Sequence, residues 1–302
     1  MYSYPELSQQ QQESLPVLHA PALPLEAQFP DSTHQLWLCD TADGKMILKV
    51  CHQQRVQDSM FWLGVNHLFR LDFPNSLAHT QFISQFLQRE GGFATPEVIA
   101  EQAGHYVLVR YLEGVDLSTE FIDNTTVIQL AHHWGKLHLQ ISTKWGSIEK
   151  PIFSANDWPI RLEQTIQLLS ERSDMPIPAD TLKLSHQQCR TLSPEQFVPI
   201  MPDFRWDQLR QCDDETLAVV DLDAFVRAPR ELEWVLLEYL LSPQQAKLFV
   251  EIYTQYQPIP DLSACRLSYR VLLFLMNVLG ESKLQQWLEQ PPLFDLLSDH
   301  VS

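Results

Sequence analysis

Val198-Pro-Ile-Met201-Pro202-Asp203-Phe-Arg-Trp206-Asp-Gln208, followed by Leu217-Ala-Val-Val220-Asp221-Leu-Asp223, is the stretch from which the chain is best read. Two short apolar runs, Val198 to Met201 and Leu217 to Asp221, flank a charged loop that contains a tryptophan, and they read as a small strand pair. Asp203 opens the loop five residues before Gln208, and Asp221 ends the second run with Asp223 two positions on. The plain reading is a turn aspartate after Pro202 and a strand-end cap at Asp221 to Asp223. The other is a set of acids and an amide brought to one point by a loop and the strand after it.

Helical periodicity surrounds this segment. From Thr125 to Ile141 the positions Ile128, Ala131, Trp134, Leu137, His138 and Ile141 recur near every 3.6 residues, and Asp157 to Leu169 repeats the pattern after an Asn156-Asp157 start signal. His138 reads as a core histidine. The tail from Glu231 to Val301 predicts four or five more helices, with Glu231 and Glu233 anchoring loops.

The first third is different. Gln35 to Asp40 and Lys45 to Cys51 alternate in polarity around Thr41-Ala-Asp-Gly44, which predicts a β-hairpin. Leu77 to Glu90 reads as one helix that Gly91-Gly92 stops with a left-handed cap. Thr95 to Ala100 and His105 to Leu112 supply two further strands, joined by Glu101-Gln-Ala-Gly104. Between Lys49 and Leu77 lies a long aromatic stretch, with Phe61-Trp62-Leu63 and Phe69 to Phe73, that buries a surface or covers a cleft. The expected fold class is α+β and bilobed: a loose Gln-rich arm over residues 1–15, a β-rich lobe over 16–113, a connector from Arg110 to Asp116, and a helical lobe over 114–302.

Composition excludes several functions. With 21 basic and 38 acidic residues in 302, the net charge of −17 repels nucleic-acid phosphates and anionic lipid, and favours a neutral or cationic small partner. Solvation of the surface explains the same charge. Five cysteines without a C-x-x-C pair argue against a disulfide framework and a structural zinc, as in a reducing cytoplasm. No secretory signal is legible at the N-terminus, and the longest apolar run, Val271 to Leu279, falls short of the ~18 residues of a membrane span. There is no G-x-S-x-G and no H-E-x-x-H, so hydrolase chemistry has little support.

Taken in order, Gly44-Lys-Met-Ile-Leu-Lys49-Val, Tyr111-Leu-Glu-Gly-Val-Asp-Leu117, Trp134-Gly-Lys-Leu-His138, Met201-Pro-Asp203-x-x-x-x-Gln208 and Val219-Val-Asp221-Leu-Asp223 resemble the aminoglycoside phosphotransferases and choline kinases. The likeness spans roughly residues 25 to 242 and rests on order and separation. It implies a protein kinase-like fold and an ATP- or GTP-dependent, magnesium-dependent transfer of phosphate to a hydroxyl of a small molecule. It also implies that Lys49 touches the nucleotide phosphates, that the backbone at Arg110, Tyr111 and Leu112 meets the base, and that Ser32 and Thr33 cover the phosphates. Asp203 then orients or deprotonates the hydroxyl, while Gln208, Asp221 and Asp223 hold magnesium. Without the family, Lys49 reads as an edge-strand lysine that blocks aggregation.

The chain departs from the family at several points. Met201-Pro202 replaces His-Gly before the catalytic aspartate, and Gln208 stands where asparagine is usual. The extra methylene moves an oxygen by ~1.5 Å against a magnesium ligand distance of ~2.1 Å. The segment Ala27 to His34 has no glycine, and the helix at Leu77 to Arg89 offers no acid for Lys49, leaving Asp58 or Asp72 as substitutes. These departures motivate an alternative, a pseudokinase that senses nucleotide or binds protein without turnover.

Overall fold

The computed structural model describes residues 2–26 and 32–295. A short helix α1 (Gln9–Gln12) precedes strands β1 (Leu23–Leu25), β2 (His34–Thr41) and β3 (Gly44–Cys51). Helices α2 (Gln53–Asp58), α3 (Met60–Phe69) and α4 (Thr80–Glu90) follow, then β4 (Val98–Gln102), β5 (Tyr106–Arg110) and the short β6 (Val115–Asp116). The remainder runs α5 (Asn124–His138), β7 (Trp145–Ser147), β8 (Pro151–Phe153), α6 (Asp157–Arg172), α7 (Ala179–Thr191), β9 (Val198–Ile200), β10 (Leu209–Gln211), β11 (Leu217–Val219) and β12 (Val226–Ala228). Four helices close the described chain: α8 (Arg230–Leu240), α9 (Pro243–Tyr253), α10 (Arg266–Leu275) and α11 (Leu284–Leu288).

The hairpin forms as expected, with Thr41 opposite Gly44 and Leu36 opposite Lys49. Gly44 takes φ +103°, a conformation that suits glycine at the end of a tight turn. The first sheet is antiparallel in the order β1-β2-β3-β5-β4, so β3 is an interior strand. Lys49 is therefore not an edge-strand lysine.

Alternation divides this sheet into two faces. One presents Ile47, Val107 and Val109 to the main core. The other presents Trp37, Cys39, Met46, Leu48, Tyr106 and Leu108, and residues 4–18 cover it with Tyr4, Leu7, Leu15 and Leu18. The loose arm expected over residues 1–15 is thus a packed strap, because an apolar sheet face left to water would be costly. Tyr4 Oη donates to the Pro16 carbonyl at 2.7 Å, and Ser8 caps α1 by accepting from the Gln11 N–H. Leu18→Asp is expected to cost about 3 kcal/mol, the loss of one buried leucine plus an unpaired charge. Chemical denaturation checks the cost, and binding of a hydrophobic dye reports the uncovered face.

The aromatic stretch after Lys49 folds as α2 and α3, helices that periodicity in so short a segment did not announce. Helix α3 lies against α6. Phe69 meets Trp145 and Trp158 edge-on and tilted at 6.2 Å, and Trp62 stacks on Phe73 at 3.5 Å. The helix read over Leu77 to Glu90 is a 3-10 turn, Asn75–His79, leading into α4. Its stop differs from the expected left-handed cap, since Gly91 is extended at φ −91°, ψ −164°. Glycine is required there for space: a Cβ would stand 2.7 Å from the His133 ring, whose Nδ1 accepts from Gly92 and Phe93 N–H.

The strand pair read from the opening segment also forms differently. Strand β9 pairs with β12 in the sheet β8-β7-β12-β9, whereas β11 pairs with β10 in the sheet β11-β10-β6. The apolar runs were strands, but the partners β10 and β12 are three residues each, too short for a periodic signal. All five cysteines are unpaired. Among the described residues no helix is long and apolar enough to cross a membrane.

Candidate active site

The loop from Met201 to Gln208 is held from below by buried groups. Glu233, fully buried on α8, accepts from the Met201 N–H at 2.8 Å and meets His138 Nε2 at 2.8 Å with its other oxygen. His138 Nδ1 meets the Tyr253 hydroxyl at 2.8 Å. Burial pushes the Glu233 carboxyl well above the ordinary range and the His138 imidazole well below it. This network holds the start of the loop, and it bears out the reading of His138 as core and Glu233 as an anchor. Trp134 and Trp206 clamp Phe204 edge-on at 5.6 and 5.5 Å. Glu233→Ala strands the Met201 N–H and the imidazole, and about 3 kcal/mol of stability is expected to go with them. Glu233→Gln, which keeps an acceptor and a donor, is expected to lose under half of that in the same urea titration.

Above this floor, Asp203 is 9% exposed, and its Oδ1 has no hydrogen-bond partner. Its Oδ2 accepts from Gln208 Nε2 at 3.3 Å. The Gln208 oxygen accepts from the Arg205 N–H at 2.8 Å, which fixes the orientation of the amide. The side chain acts as a clip across the loop, and its oxygen keeps a second lone pair for a metal. Arg205 in turn grips Asp207 through two bonds, at 3.0 and 3.2 Å.

Lys49 crosses from the first lobe to this loop region. Its Nζ donates to the Val220 carbonyl at 3.0 Å and lies 3.5 Å from Asp221 Oδ1. Neither substitute acid pairs with it: Asp58 accepts from Gln54, and Asp72 from Asn75. Helix α4 supplies none, so the lysine's ion pair is with Asp221. Burial works against the Lys49 ammonium, but Asp221 and then Asp223 outweigh it and raise its pKa. Burial likewise opposes the Asp221 charge, and Lys49, then His34 and Arg205, pull the net shift below the ordinary value. Asp203 and Asp223 are each pushed up to about 7, by burial first and the Asp221 charge second.

Three carboxylates with one lysine leave negative charge that a cation would relieve, and the unpartnered Asp203 Oδ1 points to the same need. The donor set therefore fits a hard dication. Among the described residues no three His, Cys, Asp or Glu side chains already form a ligand cluster, so a bound nucleotide's phosphates would have to complete the shell.

Lys49, Asp221 and Gln208 line a cleft of about 410 Å³. Leu36, Ile47, Val109, Tyr111 and Leu112 form its apolar part. The Tyr111 N–H is taken by the Lys45 carbonyl, while the Leu112 N–H has no partner among the described residues. Arg110 turns its guanidinium away, to Glu97 and the Asp43 carbonyl, and lines the cleft only with its stem and backbone. Gly114 of the connector is pinned: it has φ +141°, and a Cβ would stand 2.2 Å from the Gln211 carbonyl oxygen. Arg210 clasps the connector through the Gly114 carbonyl, the Tyr111 hydroxyl and Asp116.

A smaller cavity of about 140 Å³ opens on the far side of the acids, lined by Asp203, Asp221 and Asp223 with Phe61, Trp62 and Asn277. Ser32 lines both cavities and donates to the His34 carbonyl; the Thr33 hydroxyl accepts from Trp62 Nε1 at 3.2 Å. The rest of the glycine-free segment, residues 27–31, lies outside the described residues.

One residue was missed. His34 stands 3.6 Å from Asp223 Oδ2, and burial, then Lys49, lower its pKa to about 4. The signal was available: Leu36 faces Lys49 in the hairpin, and His34, two positions earlier, shares that face. Phe61 and Trp62, on α3, lie in the aromatic stretch read as burying a surface or covering a cleft; Arg205 and Asn277 had no such signal, because a loop and the turn after α10 bring them in.

No protein-family profile matches the chain, and no curated protein matches its sequence. Solved structures do match its fold. The choline kinase LicA from Streptococcus pneumoniae superposes with a TM-score of 0.61 at 13% identity, covering 94% of this chain and 91% of that one. The aminoglycoside 2′-phosphotransferase-IIIa in its GDP complex gives 0.59 at 13% identity, covering 89% and 87%. A macrolide 2′-phosphotransferase from Brachybacterium faecium gives 0.54 at 12% identity, covering 90% and 93%. The chain has the bilobed α+β, protein kinase-like fold of these small-molecule phosphotransferases, as the sequence motifs implied.

Proposed function

We propose that this protein is an ATP- and magnesium-dependent phosphotransferase acting on a hydroxyl of a small neutral or cationic compound. The observation that carries the proposal is the ion pair of Lys49 from one lobe with Asp221 from the other on the wall of a partly apolar cleft, with Asp203 and Asp223 beside Asp221 in the adjoining cavity. Nucleotide binding is supported by neighbours of the same fold solved with AMP, GDP or ADP.

In this reading Leu36, Ile47 and Val109 sandwich the base and the Leu112 N–H donates to it, while Lys49 meets the phosphates. Asp221 and Asp223 hold the magnesium, which when bound neutralises charge on the transferring phosphoryl group. Asp203 takes the proton of the acceptor hydroxyl as its oxygen bonds to the γ-phosphorus and the bond to the leaving diphosphate breaks. A carboxyl pushed up to about 7 is matched to that task at neutral pH. The smaller cavity beside Asp203 is the place for the acceptor, and its carboxylates disfavour an anionic one.

Thermal unfolding with ATP and magnesium tests the reading. A ligand at ~100 times its dissociation constant adds about 2.7 kcal/mol to the folded state, a clear upward shift in Tm. No shift with any nucleotide removes the proposal, and a shift that is the same in EDTA favours the pseudokinase alternative. ADP release over a panel of hydroxylated amines, sugars and nucleosides then finds the acceptor. No observation in the site favours the pseudokinase over turnover.

A further inference from the structure

Where the family places a glycine-rich cover over the phosphates, this chain places an imidazole. His34 opens β2 at the end of the glycine-free segment, and its side chain is 12% exposed. Its Nε2 is fully buried and has no hydrogen-bond partner. The ring is set by Phe73, which meets it edge-on at 5.8 Å and is itself stacked on Trp62. Nε2 faces Asp223 Oδ2 at 3.6 Å, too far for a hydrogen bond. A second buried atom without a partner, Asp203 Oδ1, belongs to the same cavity, which His34 and Asp223 also line.

That separation suits an ion between the two atoms. Two ligand atoms each ~2.1 Å from one ion stand ~3.0 Å apart at a right angle and ~3.4 Å apart at the tetrahedral angle. A movement of a few tenths of an ångström would close the observed gap. Imidazole nitrogen is a poor ligand for magnesium, which prefers oxygen, and a good one for the divalent ions of the first transition row.

We propose that His34 is a nitrogen ligand, beside Asp223, for the divalent cation of this site, and that the site selects a transition-metal dication such as Mn²⁺ over Mg²⁺. The proposal rests on the nucleotide-dependent phosphotransferase reading above and revises its cation from magnesium to a transition-metal dication. It explains why a buried histidine with an unpaired nitrogen is placed against two carboxylates.

The test uses the full chain with ADP and Mn²⁺, read by pulsed electron paramagnetic resonance. Coupling between the manganese electron spin and a histidine nitrogen is expected in the wild type. Isotopic labelling of histidine nitrogen identifies that coupling without any variant. In His34→Phe, which keeps the ring against Phe73, the coupling is expected to vanish and Mn²⁺ affinity to fall at least about tenfold, with a smaller loss for Mg²⁺. Bound Mn²⁺ and ADP without histidine coupling, or coupling that persists in His34→Phe, overturns the ligand assignment and leaves the phosphotransferase reading standing. Failure of ADP to bind with either cation overturns both.

Discussion

Asp203→Asn is expected to abolish phosphoryl transfer, by the ~10²–10⁴-fold that a positioned base contributes, and at the same time to make the protein more stable above neutral pH. Both effects come from one cause. The carboxyl is buried, one of its oxygens has no partner, and Asp221 adds a like charge, so its pKa rises to about 7. An acid whose folded pKa lies above its unfolded value takes up a proton on folding between those two values. Its native-state penalty is therefore absent below about pH 4, grows as pH rises toward 7, and is complete above that. Asparagine keeps an acceptor for Gln208 Nε2 without the charge. Tm measured at pH 5 and pH 8 should show the variant close to wild type at the first and higher at the second. Retained turnover would remove Asp203 from the role of base, and a lower Tm at pH 8 would contradict the burial penalty.

Lys49→Met is expected to abolish nucleotide binding and also to destabilise the ligand-free protein by about 2 kcal/mol. The figure is below that for a fully buried pair because the Asp221 side chain is 37% exposed. The lysine holds the two lobes together through the Val220 carbonyl and Asp221. Without it, Asp221, Asp223 and Asp203 face one another uncompensated. The raised pKa of Lys49 means its contribution is fully present below the ordinary lysine value and is lost as pH rises through the folded one. The lowered pKa of Asp221 means the opposite: its contribution is present above the ordinary carboxylate value and is lost as pH falls through the folded one. The difference in stability between wild type and Lys49→Met should thus grow as pH rises through about 7, where Asp203 and Asp223 gain the charge that Lys49 offsets, and shrink at both extremes. Urea titrations across pH check the shape, and a difference that falls between pH 6 and pH 8 would contradict it. The nucleotide shift in Tm, measured on the same variant, separates the loss of binding from the loss of stability.

Much of the site was legible before any coordinates. The hairpin, its lysine, the acid after Pro202 and the acids that end an apolar run are local patterns, and local patterns survive translation into structure. The hairpin register even located His34, had it been followed two residues back from Leu36. Other features were not legible because they depend on partners remote in the chain. Gln208 reads as a metal ligand from its spacing, and only the closed loop shows that it also clips Asp203 to the Arg205 N–H. The segment before β1 reads as loose from its glutamines, yet a bare sheet face needs Tyr4, Leu7, Leu15 and Leu18 to cover it.

By itself the sequence determined the order of elements and the chemical groups available: two lobes, one strand lysine, three acids and an amide at fixed intervals. Only the tertiary structure decided which groups meet, because β9 and β11 pair with strands too short to announce themselves, and because charge and burial act through space. It paired Lys49 with Asp221 instead of a helix acid, set His34 against Asp223, and raised Asp203 toward neutrality by enclosing it beside another carboxylate.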